Sequence, residues 1–234
     1  MPDAPWLMTQ SWHDLLFAHW QVDAAALRAR VPAQLPLDLF DGQAWVGVVP
    51  FDMTNVAPRF VPSVPGISAF PELNVRTYVT VDGKPGVYFF SLDAESSIAV
   101  ALARQLLKLP YYVASMDVSR EGGWVDYWSE RHADADARPA EFEGRYRPVG
   151  DVYFAEPGTL DHFLTERYCL YNVEDSGRAY RLDIHHPRWP LQKAEAEITI
   201  NTMAHAAGIE LPDAPPLLHF ARRQDMVAWA PATL

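Results

Sequence analysis

Twenty prolines divide this 234-residue chain into short segments. A proline has no amide hydrogen and closes a helix, so such spacing favours strands and loops over long helices. Between the prolines lie turn signals: Asp41-Gly42, Asp82-Gly83, Glu121-Gly122-Gly123 and Ser176-Gly177. Strand-like stretches fall near 14–20, 43–51, 72–81, 87–92, 111–118, 124–130, 142–148, 163–171, 178–185, 194–203 and 225–230. That cadence predicts a mainly antiparallel α+β fold, a β-barrel or sandwich with a few short helices.

Two helices interrupt the strands. One, about 23–30, starts at Asp23 as N-cap and stops before Pro32. The other, about 95–107, puts Ile98, Ala101, Leu102, Gln105 and Leu106 on one face and ends at Pro110. Residues 57–71 carry four prolines and no period. They read either as a lid or binding loop or as an extended surface strap. Ala133 to Pro139 reads as a small, acidic, solvated loop. Nothing marks a linker or an internal repeat, so one domain spanning 1–234 is expected.

Half the residues are apolar (49%) and 21% are charged, enough to build a sizeable core. A net charge of −11, with no basic run longer than Arg222-Arg223, argues against nucleic acid. The lone Cys169 excludes an internal disulfide, fits a reducing compartment and reads as a small core residue. No membrane-length apolar run occurs, and Met1 to Pro5 lacks the marks of a signal peptide. A cytoplasmic protein is therefore expected.

Chemistry concentrates on one strand. Side chains alternate across a strand, so Glu72, Asn74, Arg76, Tyr78 and Thr80 share a face opposite Leu73, Val75, Thr77, Val79 and Val81. The polar face either meets water, the plain reading of such alternation, or lines a cavity. In a cavity, Glu72 and Arg76 stand about 13 Å apart at about 3.3 Å per residue, suited to the two ends of a small ligand. Arg76 would fork onto a carboxylate, and a desolvated Glu72 would serve as general acid or base.

Beyond Thr80 come the turn 82–86, the strand Val87-Tyr88-Phe89-Phe90-Ser91-Leu92, a helix through Ala103-Arg104, and then Leu109-Pro110-Tyr111-Tyr112. This order of elements resembles the acetoacetate decarboxylase-like superfamily, especially its uncharacterised YqjF-like branch. The resemblance covers about residues 10–120 and implies a cone-shaped antiparallel barrel or sandwich. It implies that Glu72 faces the active site and that oligomers form. The decarboxylases carry a catalytic lysine pair directly after the proline, where this chain has Tyr111 and Tyr112. Where the family has an arginine before its first long strand, this chain has His13.

A tyrosine forms no iminium, so the family's Schiff-base chemistry has no nucleophile here. Tyr111 and Tyr112 can instead donate a hydrogen bond or pack, and strand alternation lets at most one face a cavity. The three lysines give no substitute: Lys84 lies in a turn, Lys193 has little to desolvate it, and Lys108 at a helix end is the sole reserve. The eight histidines show no metal-ligand spacing; His185-His186 point to opposite faces if extended. No nucleophile elbow, P-loop or dinucleotide fingerprint appears, and no cofactor is implied. Leu217 to Gln224 resembles the YqjF-like pattern; His219 or Arg222 could reach the cavity, or the segment could be a strand edge or subunit contact.

The sequence thus predicts a protein binding a small carboxylate or carbonyl compound through Glu72, Asn74, Arg76, Tyr78 and His13, with Tyr111 or Tyr112 opposite. Acid–base lyase or isomerase chemistry at Glu72 is the enzymatic reading. A non-catalytic binding or assembly module is the alternative.

Overall fold

The computed structural model describes residues 2–62, 68–106, 108–132, 137–174 and 176–234, apart from the side chains at 98, 99, 102, 103 and 106. Part of the proline-rich loop (63–67), the start of the acidic loop (133–136) and most of the apolar face expected for the second helix lie outside them.

The elements are β1 (Met8–Val22), α1 (Ala24–Arg28), β2 (Ala44–Pro58), β3 (Phe70–Val81), β4 (Lys84–Ala94), α2 (Ser97–Leu106), β5 (Tyr111–Glu121) and β6 (Trp124–Arg131). There follow β7 (Glu141–Tyr153), α3 (Leu160–Thr165), β8 (Cys169–Val173), β9 (Ala179–His185), β10 (Leu191–Asn201), α4 (Met203–Ala206), β11 (Leu217–Ala228) and β12 (Ala232–Thr233). The Asp23 carboxylate caps α1 by accepting from the Ala26 amide at 2.7 Å. Asp82 and Gly83 both take positive φ, the left-handed pair that a two-residue hairpin between β3 and β4 requires.

Among the described residues, twelve strands form one sheet in the order β12-β9-β8-β4-β3-β2-β1-β11-β10-β7-β6-β5. Most neighbours are antiparallel; β4 runs parallel to both β5 and β8. The extra pairings β9–β11 and β4–β5 close the sheet on itself twice. Strands β4, β3, β2, β1 and β11 belong to both closed rings, so each presents one face to each of two interiors. On β3, Leu73 and Val75 join the core with Leu16, Val46, Tyr127 and Phe220. Tyr78 joins the other core, with Phe17, Phe51, Trp189 and Met226.

Three expectations are corrected. The stretch 163–171 is not a strand: Thr159 accepts from the His162 amide and starts the short helix α3, and β8 begins only at Cys169. The strand expected to end at 203 stops at Asn201, because Met203–Ala206 turn into α4. Strand β11 runs from Leu217 rather than 225, paired with β1 and β10 on its two edges. The segment Leu217 to Gln224 is therefore interior to the sheet rather than a strand edge.

Candidate functional site

A cavity of about 80 Å³ lies within one ring. At roughly 10–15 Å³ per water, that space suits a ligand of about five to eight non-hydrogen atoms. Its wall is mostly apolar, with Val49, Phe51, Phe89, Leu92, Leu170 and Met226 among the lining residues. Glu72, Asn74 and Arg76 of β3 line one side, and Tyr111 of β5 joins them. Their common face follows from strand alternation. Both faces of this strand are buried because β3 is shared by two rings, so the reading with Glu72 and Asn74 in open water does not hold: they are 3% and 4% exposed.

The Tyr111 hydroxyl donates to Glu72 Oε2 at 2.8 Å. β5 brings it there through the parallel pairing of Tyr111 with Leu92, next but one in register to the Ala94 that pairs with Glu72. The Tyr127 hydroxyl donates to the Glu72 backbone carbonyl at 2.8 Å and fixes the strand from the second core. Burial pushes the Glu72 carboxyl up to about 8, although hydrogen bonds from Tyr111 and Asn74 pull the other way. Near neutral pH burial thus favours the uncharged acid at Glu72. Burial, with Glu72 beside it, also holds the Tyr111 phenol well above its ordinary range.

Arg76 carries the charge. Its guanidinium lies over the Phe17 ring at 5.0 Å and reaches the Leu164 carbonyl at 3.5 Å. Among the described residues it forms no ion pair, and its Nε has no hydrogen-bond partner. Arg167, the other arginine on the wall, is neutralised by Asp38 at 2.6 Å. Gly47 on β2 pairs with both His19 and Arg76; a methyl group there would lie 3.1 Å from the His19 ring and 3.5 Å from Arg76 Cγ. Its missing side chain lets the two pack together.

The remaining expected site residues fall elsewhere. Tyr78 shares the face but lies beyond the cavity: its hydroxyl donates to the Leu164 carbonyl at 2.7 Å and meets His19 Nε2 at 2.6 Å. With the phenol hydrogen on Leu164, the His19 Nε2 must be the donor. His13 points away and meets Thr54 Oγ1 at 2.8 Å. The cause is next to it: Asp14 takes φ +48, and the β1–β2 register shifts there, so Trp12 and Leu15 face inward instead. Tyr112 turns outward and stacks on Arg131 at 4.2 Å, while Arg131 makes a two-pronged pair with buried Asp93 at 2.6 and 2.7 Å.

His219 is fully buried with its Nε2 2.9 Å from Asp161 Oδ1, and Arg222 binds Asp14 near the surface. Neither lines the cavity. Lys84, Lys108 and Lys193 pair with Asp183, Glu174 and Asp161, and none of the three lines it either. Among the described residues, no group of three or more His, Cys, Asp or Glu side chains could hold a metal ion.

Other lining residues escaped sequence reasoning: Trp12, Thr165, Arg167, His186 and Trp189. Thr165 and Arg167 follow the turn into α3, which strand periodicity hid. His186 is buried with its ring nitrogens against the Pro187 and Arg167 carbonyls, and burial lowers its pKa. Its inward aim comes from β9, since His185 beside it is exposed.

A family model described as an uncharacterized conserved protein, DUF2071, matches residues 9–225. The chain belongs to the DUF2071 family. This DUF2071 protein is 50% identical over 229 residues to the uncharacterized protein YqjF of Bacillus subtilis (strain 168), covering 98% of this chain and 93% of that one. Its fold is similar to an acetoacetate decarboxylase-like enzyme from Sphingomonas wittichii RW1, with TM-score 0.64, 13% identity, and 99% and 94% of the two chains covered. It is also similar to acetoacetate decarboxylase from Legionella pneumophila, with TM-score 0.63, 14% identity, and 100% and 92% covered. The enduracididine biosynthesis enzyme MppR complexed with pyruvate gives TM-score 0.63 at 11% identity, covering 100% and 91%. At such identities the likeness carries the fold alone. Within the DUF2071 chain, the stretch from Glu72 to Tyr112 has the predicted order of elements, β3, β4, α2 and β5.

Proposed function

We propose that this DUF2071 protein binds a small organic acid or carbonyl compound in the cavity and moves a proton to or from it with Glu72. The observation that carries this reading is Arg76, a guanidinium without an ion-pair partner among the described residues, on the same wall as an uncharged Glu72. Arg76 is half-buried, and partly desolvating a cation without a counter-charge carries a cost that an anionic ligand offsets. The carboxylate would take the fork of Arg76. The ligand's carbonyl or α-carbon would then lie toward Glu72, with Tyr111 holding the carboxyl in place.

A carboxyl with pKa near the working pH suits either direction of proton transfer. The chemistry is decarboxylation, hydration or isomerisation without a covalent adduct. The pyruvate complex of a structural neighbour supports the size class of ligand. The second reading, a binding module without catalysis, keeps the same pocket and differs only in whether Glu72 exchanges protons with the ligand.

Isothermal titration of pyruvate and acetoacetate into the wild type and Arg76→Ala tests binding. Saturable binding that is lost in Arg76→Ala, with only a modest change in melting temperature, is expected; equal behaviour of the two proteins defeats the reading. Incorporation of deuterium from D2O into bound pyruvate, abolished by Glu72→Gln, separates the enzyme from the binding module.

A further inference from the structure

We infer that ligands enter the cavity through a slot between β8 and β5, and that Leu109 is the side chain that gates it. The inference rests on the reading proposed above only for the charge of the ligand. The reason lies in how the ring closes. β4 pairs with β8 at Val87 and Tyr88, and with β5 from Leu92 to Ala94. Between these pairings, Phe89, Phe90 and Ser91 have no strand partner on that edge among the described residues. No backbone ladder crosses the wall there.

An open groove lies outside this slot, and Phe89, Leu109 and Tyr111 line both the groove and the cavity. These side chains are therefore what separates the two spaces. Phe89 and Tyr111 belong to strands, and Tyr111 is tied to Glu72 at 2.8 Å. Leu109 belongs to the connection between α2 and β5. The residues on either side of it are held: the Asn172 side-chain amide donates to the Lys108 carbonyl, and the Leu92 amide donates to the Pro110 carbonyl at 3.0 Å. Lys108 takes φ +59, a left-handed conformation that is unfavourable for a residue other than glycine. The Leu109 side chain can thus swing outward at a strained joint without breaking a ladder bond.

The sheet has a second split, where β11 passes from β10 at Ala221 to β9 at Val227. That one is sealed by polar bonds and stacking. Gln224 donates to the Pro187 carbonyl at 2.7 Å, the Trp189 amide donates to Glu166 at 2.9 Å, and the Trp189 ring stacks on Trp12 at 5.7 Å. Leu109 has no polar atom in its side chain and seals by packing alone. The groove outside it also suits an anion. The chain as a whole carries a net charge of −11, which repels a carboxylate. Arg104 and Lys108 line the groove against one carboxylate, Glu174, among the described residues.

The test measures rates with two probes. Pyruvate is followed by stopped-flow tryptophan fluorescence, since Trp12 and Trp189 line the cavity. Xenon, which enters apolar cavities and needs no charge, is followed by exchange NMR under pressure. In Leu109→Ala, entry and exit of both probes should speed up by at least about threefold. The rise should exceed that in Leu182→Ala, the same truncation on a lining strand residue paired with Leu170. Unchanged rates in Leu109→Ala, or an equal rise in Leu182→Ala, overturn the inference. Should Leu109→Ala fail to fold, Asn172→Ala decides: it frees the Lys108 carbonyl from outside the cavity, and both rates should rise by a common factor with Kd unchanged. Wild-type rates in that variant then overturn the inference. If pyruvate and acetoacetate fail to bind the wild type, the proposed function fails, and the xenon rates still decide where the cavity opens.

Discussion

The Tyr111 hydroxyl donates to Glu72 Oε2 across 2.8 Å, while its neighbour Tyr112 faces the opposite way onto Arg131. Of two adjacent tyrosines, one therefore joins the cavity's core and the other packs outside it on a guanidinium. Tyr111→Phe removes a bond that stabilises the Glu72 carboxylate, so the apparent pKa of Glu72 should rise above about 8. A pH titration of the Glu72 carboxyl by carbon-detected NMR checks this. Tyr112→Phe should leave that titration unchanged, and Tyr112→Ala should lower stability by about 1–2 kcal/mol through lost stacking on the guanidinium.

Glu72 also sets a pH dependence of folding. Its folded pKa of about 8 stands above the ordinary 4.5, so the folded state holds the proton more tightly than the unfolded chain. The contribution to stability is complete below pH 4.5 and is lost as pH rises through about 8. Glu72→Gln should flatten this loss and be more stable than the wild type at pH 9, by a few kcal/mol at about 1.36 kcal/mol per unit. Urea denaturation at pH 5, 7 and 9 measures it; parallel curves for the two proteins would contradict it.

Asp161 behaves in the opposite sense. The His219 ring, its Nε2 2.9 Å away, with hydrogen bonds from Tyr153 and Lys193, holds its carboxyl well below the usual range. Stability from this group is therefore present above the ordinary carboxylate pKa and is lost as pH falls. Asp161→Asn should lower the melting temperature at pH 7, and the gap to the wild type should narrow as the buffer is taken toward pH 3. A gap that is constant across this range would show that the carboxylate charge is not what binds α3 to the sheet.

The Asp93–Arg131 pair is fully desolvated, with the Asp93 side chain at 0% and the Arg131 side chain at 4% exposure. Removing one partner strands the other's charge, so Arg131→Met should cost about 3–5 kcal/mol. The double variant Asp93→Leu/Arg131→Met should recover much of that loss. Chemical denaturation of the single and double variants gives the coupling energy directly.

No lysine reaches the cavity, and Lys108, the reserve nucleophile, has a side chain 41% exposed and paired with Glu174 at 3.5 Å. Borohydride treatment in the presence of pyruvate should therefore leave the intact mass of the protein unchanged. A stable adduct that disappears in Lys108→Ala would restore a Schiff-base mechanism.

The strand cadence, the hairpin at Asp82-Gly83, the N-cap at Asp23 and the polar row Glu72-Asn74-Arg76 are local matters, and the sequence by itself determined them. Alternation at two residues per repeat is a property of the strand and needs no partner. Which face meets water is a different question. β3 lies in two closed rings, so both of its faces are interior, and only long-range pairing decides that. The same holds for His13, turned outward by the left-handed backbone at Asp14, and for Tyr78, which contacts His19 and Leu164 rather than a ligand space. Trp12, Arg167, His186 and Trp189 come to the cavity from segments distant in sequence. Local periodicity carries no record of such meetings, because they depend on how the sheet closes; the chain determined the polar row, and the closure made it the wall of a cavity.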